Sequence, residues 1–169
     1  DGAVDYSSKA STTMVFVLQA FNAEQFNNYE YTPSITSVTV KWDFYNSTEA
    51  KTIQGSTGTV ASDTDGYVAN IDATSGKLAI RVGNWAQFNA GTKIIIPVTA
   101  GTVVTVANYD AAYSIDGVAA TEKDTTVTAT ADGTMVIEST GGSYIGSITA
   151  VYPPVVEPVT VKWDFYNST

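Results

Sequence analysis

The chain has 169 residues, enough for one domain and at most two, with 44% hydrophobic and only 15% charged residues, a balance that supports a folded core and argues against disorder. Eight Lys and Arg against seventeen Asp and Glu leave a net charge of −9, which repels phosphate backbones and makes nucleic acid an unexpected partner. With no His and no Cys, Ser-His-Asp and Cys-His catalysis, imidazole and thiolate metal sites, and disulfide staples are all excluded.

The longest apolar runs, residues 13–18 and 94–98, are strand-sized and fall far short of the roughly 18 residues of a membrane span, so membrane insertion is not expected. No signal peptide is visible within these residues. Residues 13–18 read as a strand, followed by a loop or a short helical turn. The helical period over 15–28 is weak, and Asn22, Asn27 and Asn28 are poor helix formers. Over 38–44, Val38, Val40, Trp42 and Phe44 alternate with Thr39, Lys41 and Asp43, which predicts a strand with one buried and one wet face. Residues 67–72 follow as a strand. Residues 77–82 repeat the alternation, with Leu78, Ile80 and Val82 inward. Further strands are predicted at 93–98, 102–107, 112–116, 125–130, 134–138 and 144–152. Between them lie Asp65-Gly66, Ala100-Gly101, Asp116-Gly117, Asp132-Gly133 and Gly141-Gly142, dipeptides that accept the positive φ of tight turns. The pattern is all-β and predicts an antiparallel β-sandwich or jelly roll.

The string Val-Thr-Val-Lys-Trp-Asp-Phe-Tyr-Asn-Ser-Thr occurs at 38–48 and again at 159–169, an identity of eleven residues at an offset of 121. Such an offset is the period of a tandem module. The same offset carries Thr13-Met14-Val15 onto Thr134-Met135-Val136, and Pro33 onto Pro154. Residues 1–37 therefore read as the C-terminal part of a preceding, divergent module, 38–158 as one complete module, and 159–169 as the opening strand of the next repeat. The connector Pro153-Pro154-Val155-Val156-Glu157-Pro158 is stiff, because proline fixes φ and cannot donate to a ladder. The two partial modules are expected to satisfy one another by strand pairing, within a chain or through self-association at 159–169; the alternative is that these ends have no pairing role.

Three segments in particular, Trp42-Asp43-Phe44, the stretch 72–78 and Trp85-Ala86-Gln87-Phe88-Asn89-Ala90-Gly91-Thr92, begin a recognisable pattern. It continues through Ile96-Pro97-Val98, Tyr113-Ser114-Ile115-Asp116-Gly117 and Ser143-Tyr144-Ile145-Gly146-Ser147-Ile148. Over most of 38–158 this resembles the tandem β-sandwich accessory domains of secreted polysaccharide-degrading enzymes of Firmicutes, which accompany pectate lyases and xylanases. The resemblance implies a carbohydrate-binding module, a secreted or cell-surface location, and a plant cell-wall or other polysaccharide as partner. Residues 1–37 depart from the pattern, with 21–29 in place of the Gly-Ser-Tyr turn.

Sugar recognition uses flat aromatic faces with amides or charged groups beside them on a rigid scaffold. Trp85 is the leading candidate, read in a turn-like stretch between strands with Asn84 and Gln87 beside it; the competing reading is a plug at the sandwich end. Tyr109 and Tyr113 flank a loop in which Asn108 and Asp110 add polar groups, and Tyr144 opens a strand near them; tyrosines also serve as plain loop anchors. Trp42 and Trp163 alternate with Val and Phe and are expected in the core. Lys41, Lys77 and Arg81 offer counter-charges to an acidic polysaccharide, although such residues commonly only keep a sheet face soluble.

No cofactor is expected. A structural Ca²⁺ is the one metal to consider, and Asp63-Thr64-Asp65-Gly66 resembles the start of a calcium loop; position twelve, however, is Thr74 where a bidentate Glu is needed. The Asp residues sit mostly in turns, their commonest post, and no facing carboxyl pair stands out, so an enzyme is not expected. Two functions follow: a non-catalytic polysaccharide-binding module, or a structural and adhesive surface repeat assembled by strand exchange. In the second, Lys41 with a nearby Asn or Asp would be a candidate isopeptide crosslink.

Overall fold

Thirteen strands and no helix make up the described part of the chain, residues 36–155 of a computed structural model. In order they are β1 (Val38–Asp43), β2 (Lys51–Gln54), β3 (Thr57–Ala61), β4 (Val68–Asp72), β5 (Lys77–Arg81), β6 (Asn84–Phe88) and β7 (Lys93–Val98). There follow β8 (Val103–Asn108), β9 (Tyr113–Ile115), β10 (Val118–Ala119), β11 (Asp124–Thr128), β12 (Gly133–Ser139) and β13 (Ser143–Tyr152). The expected strand at 13–18, the turn after it, and the pairing of 1–37 with 159–169 lie outside the described residues. Ser37–Pro154 form a compact unit.

The strands build two antiparallel sheets. The first runs β11-β8-β13-β6-β5-β2, with β1 also on β13; the second runs β10-β9-β12-β7-β4-β3. Strands β6 to β13 trace the double Greek key of a jelly roll: apart from the β9–β10 hairpin, each connection crosses from sheet to sheet, which puts β6, β13, β8 and β11 in the first and β7, β12, β9 and β10 in the second. Strands β2 to β5 widen both sheets beyond β6 and β7.

Residues facing inward along the strands fill one core. On β1 the alternation puts Val40 and Trp42 at 0% exposure, with Phe44 just beyond at 1%, so the core role expected of Trp42 holds. From the opposite sheet come Ile71, Ile94, Ile96, Met135 and Ile137. The Asp116-Gly117 turn between β9 and β10 has φ of +48° and +79°, the two consecutive positive values of a type I′ hairpin. Asp116 offsets its own strain: its carboxylate accepts the Val136 N–H at 2.8 Å.

One strand organises the first sheet. β13 pairs with β8 along one flank. On its other flank it pairs with β6 over Ser143–Ile145 and then with β1 over Ser147–Tyr152. The register breaks at Gly146, whose carbonyl accepts both the Phe44 and Tyr45 N–H groups at 3.0 and 2.9 Å. This bulge ends the β6 pairing and begins the β1 pairing.

Candidate functional site

The bulge positions the most distinctive surface of the described residues. Trp85 lies on β6, not in a turn as its sequence neighbourhood suggested. Ala86 and Phe88 point inward, so Trp85 and Gln87 point out. The indole lies over Gly146, where a Cβ would stand 2.8 Å from Trp85 Cζ3. A ring can lie that close to the sheet only where the strand beneath has no side chain.

Three tyrosines extend this ring into a row. Tyr45 follows β1 with its ring centroid 5.8 Å from Trp85 at an interplanar angle of 72°. Tyr109 follows β8 at 6.2 Å and 83° on the other side. Tyr144, on β13, continues the row from Tyr109 at 6.1 Å and 78°. The geometry throughout is edge-to-face, the arrangement that ring quadrupoles favour. A backbone bond from Tyr109 N–H to Tyr144 C=O, 2.8 Å long, ties the last two together. Trp85 is half-buried, while Tyr45, Tyr109 and Tyr144 are 44%, 66% and 40% exposed. The row is a fixed, water-facing surface of ring edges and faces.

Polar groups border it. Gln87 is half-buried and sits between Tyr144 and Ala79 in the cross-strand register. Its amide has no hydrogen-bond partner among the described residues. Asn84 and Arg81 are paired across the β5–β6 turn and exposed. Asn84 Oδ1 accepts the Trp85 N–H at 2.8 Å and so steadies the start of β6. Arg81 makes no ion pair among the described residues, whereas Lys41 is bound to Asp43 at 2.7 Å.

Burial alone would raise the Asp43 carboxyl. Hydrogen bonds from the Asn46 amide, the Lys41 ammonium and the Asn46 backbone N–H outweigh it and hold the acid below the usual carboxylate range. Lys41 and Asp43 are joined as a salt bridge, 2.7 Å apart.

Tyr113 does not join the row. Its ring is at 0% exposure in the core, and its hydroxyl donates to the Lys123 and Glu122 carbonyls at 3.2 and 3.4 Å. Strand β9 turns all three of its side chains into covered positions, so Tyr113 offers no face to a ligand. Burial pushes its hydroxyl above the ordinary phenol range, with the Asp124 charge adding to the rise against hydrogen bonding at Thr125. The polar clasp expected from Asn108 and Asp110 is also absent. Asn108 is buried and bonds the Asp110 carbonyl and Ser143 Oγ, and the Asp110 carboxylate caps the Ala112 N–H at 2.9 Å. Both build the loop that presents Tyr109.

Tyr45 was not anticipated, although its position was readable: it follows Val38, Val40, Trp42 and Phe44 by one residue, on the wet side of the alternation.

The suggested calcium loop has other work. Asp63 Oδ1 accepts the Lys41 N–H at 2.7 Å and the Thr64 hydroxyl at 3.1 Å, which staples the β3–β4 turn to β1. No group of three or more potential metal ligands occurs among the described residues. A groove of about 600 Å³ opens beside β10 and β11, lined by Val98, Ile115, Val118, Val127, Ala129 and Met135 among others, and it contains none of the four rings.

No family model matches the chain, and no curated protein matches it in sequence. It is similar to a solved structure from work on how "the complexity of the Ruminococcus flavefaciens cellulosome reflects an expansion in glycan recognition", at 15% identity and a TM-score of 0.41, covering 73% of this chain and all of that one. A superposition that loose adds nothing to what the strand pairings establish. No helix among the described residues is long and apolar enough to cross a membrane.

Proposed function

We propose that this chain is a non-catalytic polysaccharide-binding module of an extracellular carbohydrate-active enzyme, and that the row Tyr45–Trp85–Tyr109–Tyr144 is its binding face. The observation that carries the reading is four rings held in mutual contact on the solvent side of one sheet. Exposing that much aromatic surface costs hydrophobic free energy that burial would have gained, and contiguous exposed apolar surface of this kind marks an interaction site. Pyranose rings present flat C–H faces that stack on such rings, and in this reading Gln87, opposite Tyr144 in the register, bonds hydroxyls at the edge, with Asn84 and Arg81 as further polar candidates.

A binding rather than catalytic role is supported by the turn aspartates, whose carboxylates are occupied by the backbone. Asp63, Asp72, Asp110, Asp116 and Asp132 each accept a main-chain N–H. Lys41 is bound to Asp43, which leaves Lys77 and Arg81 as the counter-charges for an acidic glycan among the three cations expected from the sequence.

The test is affinity electrophoresis of the full chain through gels containing xylan, mannan, β-glucan or pectin. Retardation is expected in at least one gel and lost in Trp85→Ala; migration unchanged in all four defeats the reading. A structural, adhesive repeat is the second reading, favoured by the eleven-residue sequence duplication at 38–48 and 159–169.

A further inference from the structure

The outward face of the first sheet does not end at the aromatic row. On β5 the inward side chains are Leu78 and Ile80, so Lys77 points out with Ala79 and Arg81. Gln54 is opposite Lys77 in the β2–β5 register and shares that side. Beyond Trp85 and Gln87, the outward parity of β6 continues to Asn89. Gln54, Lys77 and Asn89, with the turns at 75–76 and 141–142, line a shallow pocket of about 460 Å³. The pocket adjoins the row. Asn89 stands two residues beyond Gln87, and Gly142 two residues before Tyr144, the partner of Gln87 in the register; two strand residues cover about 7 Å.

Its walls are fixed by the backbone. The buried Thr92 hydroxyl accepts the Lys77 N–H at 2.8 Å, and the Asn89 N–H donates to the Lys77 carbonyl at 3.0 Å. A Cβ at Gly76 would stand 2.7 Å from the Thr92 N and 2.9 Å from the Ala90 carbonyl oxygen, so glycine is what lets these two turns close on each other. Gly141 and Gly142 add no side chain to fill the space.

The chemistry inside is that of an anion site. In a chain of net charge −9, no Asp or Glu is among the described residues that line the pocket, and Lys77 is their one cation. Lys41 and Lys93 are committed to ion pairs, and the Lys51 ammonium to the Thr59 carbonyl. The Lys77 ammonium has no such partner among the described residues, nor have the Gln54 and Asn89 amides. An ammonium and two amides without protein acceptors match a ligand carboxylate, which takes a charge-assisted bond from the first and neutral bonds from the others.

We propose that this pocket is a subsite for the carboxylate of a uronic acid residue, in a glycan whose neighbouring sugars lie on the row. The proposal rests on the reading of the row as the binding face, and it names the class of polysaccharide: one that carries uronate. Lys77 pairs with the carboxylate, Asn89 and Gln54 bond its oxygens or the adjacent hydroxyls, and Gln87 stands between pocket and row.

Calorimetry of the full chain tests it with three polysaccharides. They are glucuronoxylan, whose uronates hang from a neutral backbone; the same xylan with its carboxyls reduced to alcohols; and polygalacturonate, in which every residue is acidic. The acidic xylan is expected to bind at least about threefold tighter than the reduced one at low salt. That preference should vanish in Lys77→Gln and persist in Lys77→Arg. It should also persist in Lys123→Gln, which removes the same charge from the exposed β10–β11 loop. Polygalacturonate bound tighter than glucuronoxylan, with the same dependence on Lys77, supports the subsite and assigns its carboxylate to a pectic chain. Equal affinity for the two xylans with no binding of polygalacturonate overturns the proposal. So does a preference for acid that survives Lys77→Gln, or that Lys123→Gln also removes.

Trp85→Ala separates the subsite from the row. Affinity lost there, yet indifferent to Lys77 and to the carboxyls, defeats the subsite alone. Affinity that needs Lys77 and ignores Trp85 defeats the row alone. Should Lys77→Gln melt early, salt takes its place: raised from about 10 mM to 0.5 M, it should shrink the unchanged chain's preference for the acidic xylan, and a preference indifferent to salt overturns the proposal.

Discussion

Trp42 and Trp85 belong to the same sheet, flank the same strand β13, and face opposite ways. Trp42 is inward on β1 at 0% exposure, opposite Ile148, and its indole N–H has no hydrogen-bond partner among the described residues. Trp85 is outward on β6, half-buried over Gly146, with a tyrosine edge on either side. Strand parity decides which face a ring takes, but what supports it differs. The inner ring is held by a closed core that tolerates even an unpaired N–H, at a cost of about 1–3 kcal/mol. The outer ring is held by a missing Cβ and by neighbouring rings. Stability therefore resides on one side of the sheet, and the proposed binding face lies on the other.

The largest expected effect lies on the inner side. Trp42→Ala should cost about 3–5 kcal/mol, the range for emptying a large aromatic from a core. Urea unfolding measures it. Trp85→Ala should cost about 1 kcal/mol or less, because the ring keeps much of its surface in water. Near-equal losses for the two would erase the division between the faces.

The inner rings also fix the alkaline limit. Burial, reinforced by repulsion from Tyr67, pushes the Tyr152 hydroxyl up to about 12, where it donates to the Pro97 carbonyl. Because the folded state holds this proton more tightly than the unfolded chain, its contribution is fully present below about pH 10. It is lost as pH rises towards 12, on the order of 2–3 kcal/mol in all. Unfolding followed from pH 8 to 12 should show the decline, and Tyr152→Phe should flatten it. A slope unchanged by that substitution would assign the loss to other groups.

Gly146→Val sharpens the comparison from the floor of the outer ring. The new Cβ would stand 2.8 Å from Trp85 Cζ3, so the indole must lift and the row parts between Tyr45 and Tyr109. Glycan affinity should fall at least about tenfold, or ~1.4 kcal/mol, and calorimetry against the retarding polysaccharide reads it directly. Far-ultraviolet circular dichroism should remain that of the unchanged chain. An unaltered affinity would mean that the row does not bind as a unit.

How far these two sides were legible in the sequence follows from the same physics. β1 stood out because it alternates large apolar with polar residues, and β7 because it is a short apolar run of strand length. β6 did not, because it reverses the usual sizes: Trp85 faces water, and the small Ala86 lies between it and the buried Phe88 on the inner side. β2 and β3 were missed as edge strands carrying little apolar signal, with Ile53 the one buried side chain of β2 and Gly58 in the middle of β3. A Cβ at Gly58 would meet Ile53 Cδ1 at 2.7 Å, so a side chain there would have to displace that methyl. Of the site, Trp85, Tyr109 and Tyr144 were found by type and neighbourhood. Their convergence with Tyr45 depends on the β13 bulge, which joins residues a hundred positions apart in sequence and has no local signature beyond one glycine. Tyr113 was misplaced for the converse reason: a tyrosine beside a loop looks exposed until its ring is found in the core with its hydroxyl on the Lys123 and Glu122 carbonyls.

That misplacement yields the smallest and most discriminating effect. Tyr113→Phe removes a hydroxyl bonded to the Lys123 and Glu122 carbonyls and leaves the ring volume in the core intact, so stability should drop by about 1 kcal/mol. Glycan affinity should not change, because no atom of the row touches the altered group. Tyr109→Ala makes the opposite change: the ring is 66% exposed, so stability should hold while affinity falls. Paired titrations of the two variants separate a tyrosine that closes the core from one that meets the ligand. Affinity lost in Tyr113→Phe with the fold intact would place recognition at the β9 end of the sandwich and remove the row from its assigned role.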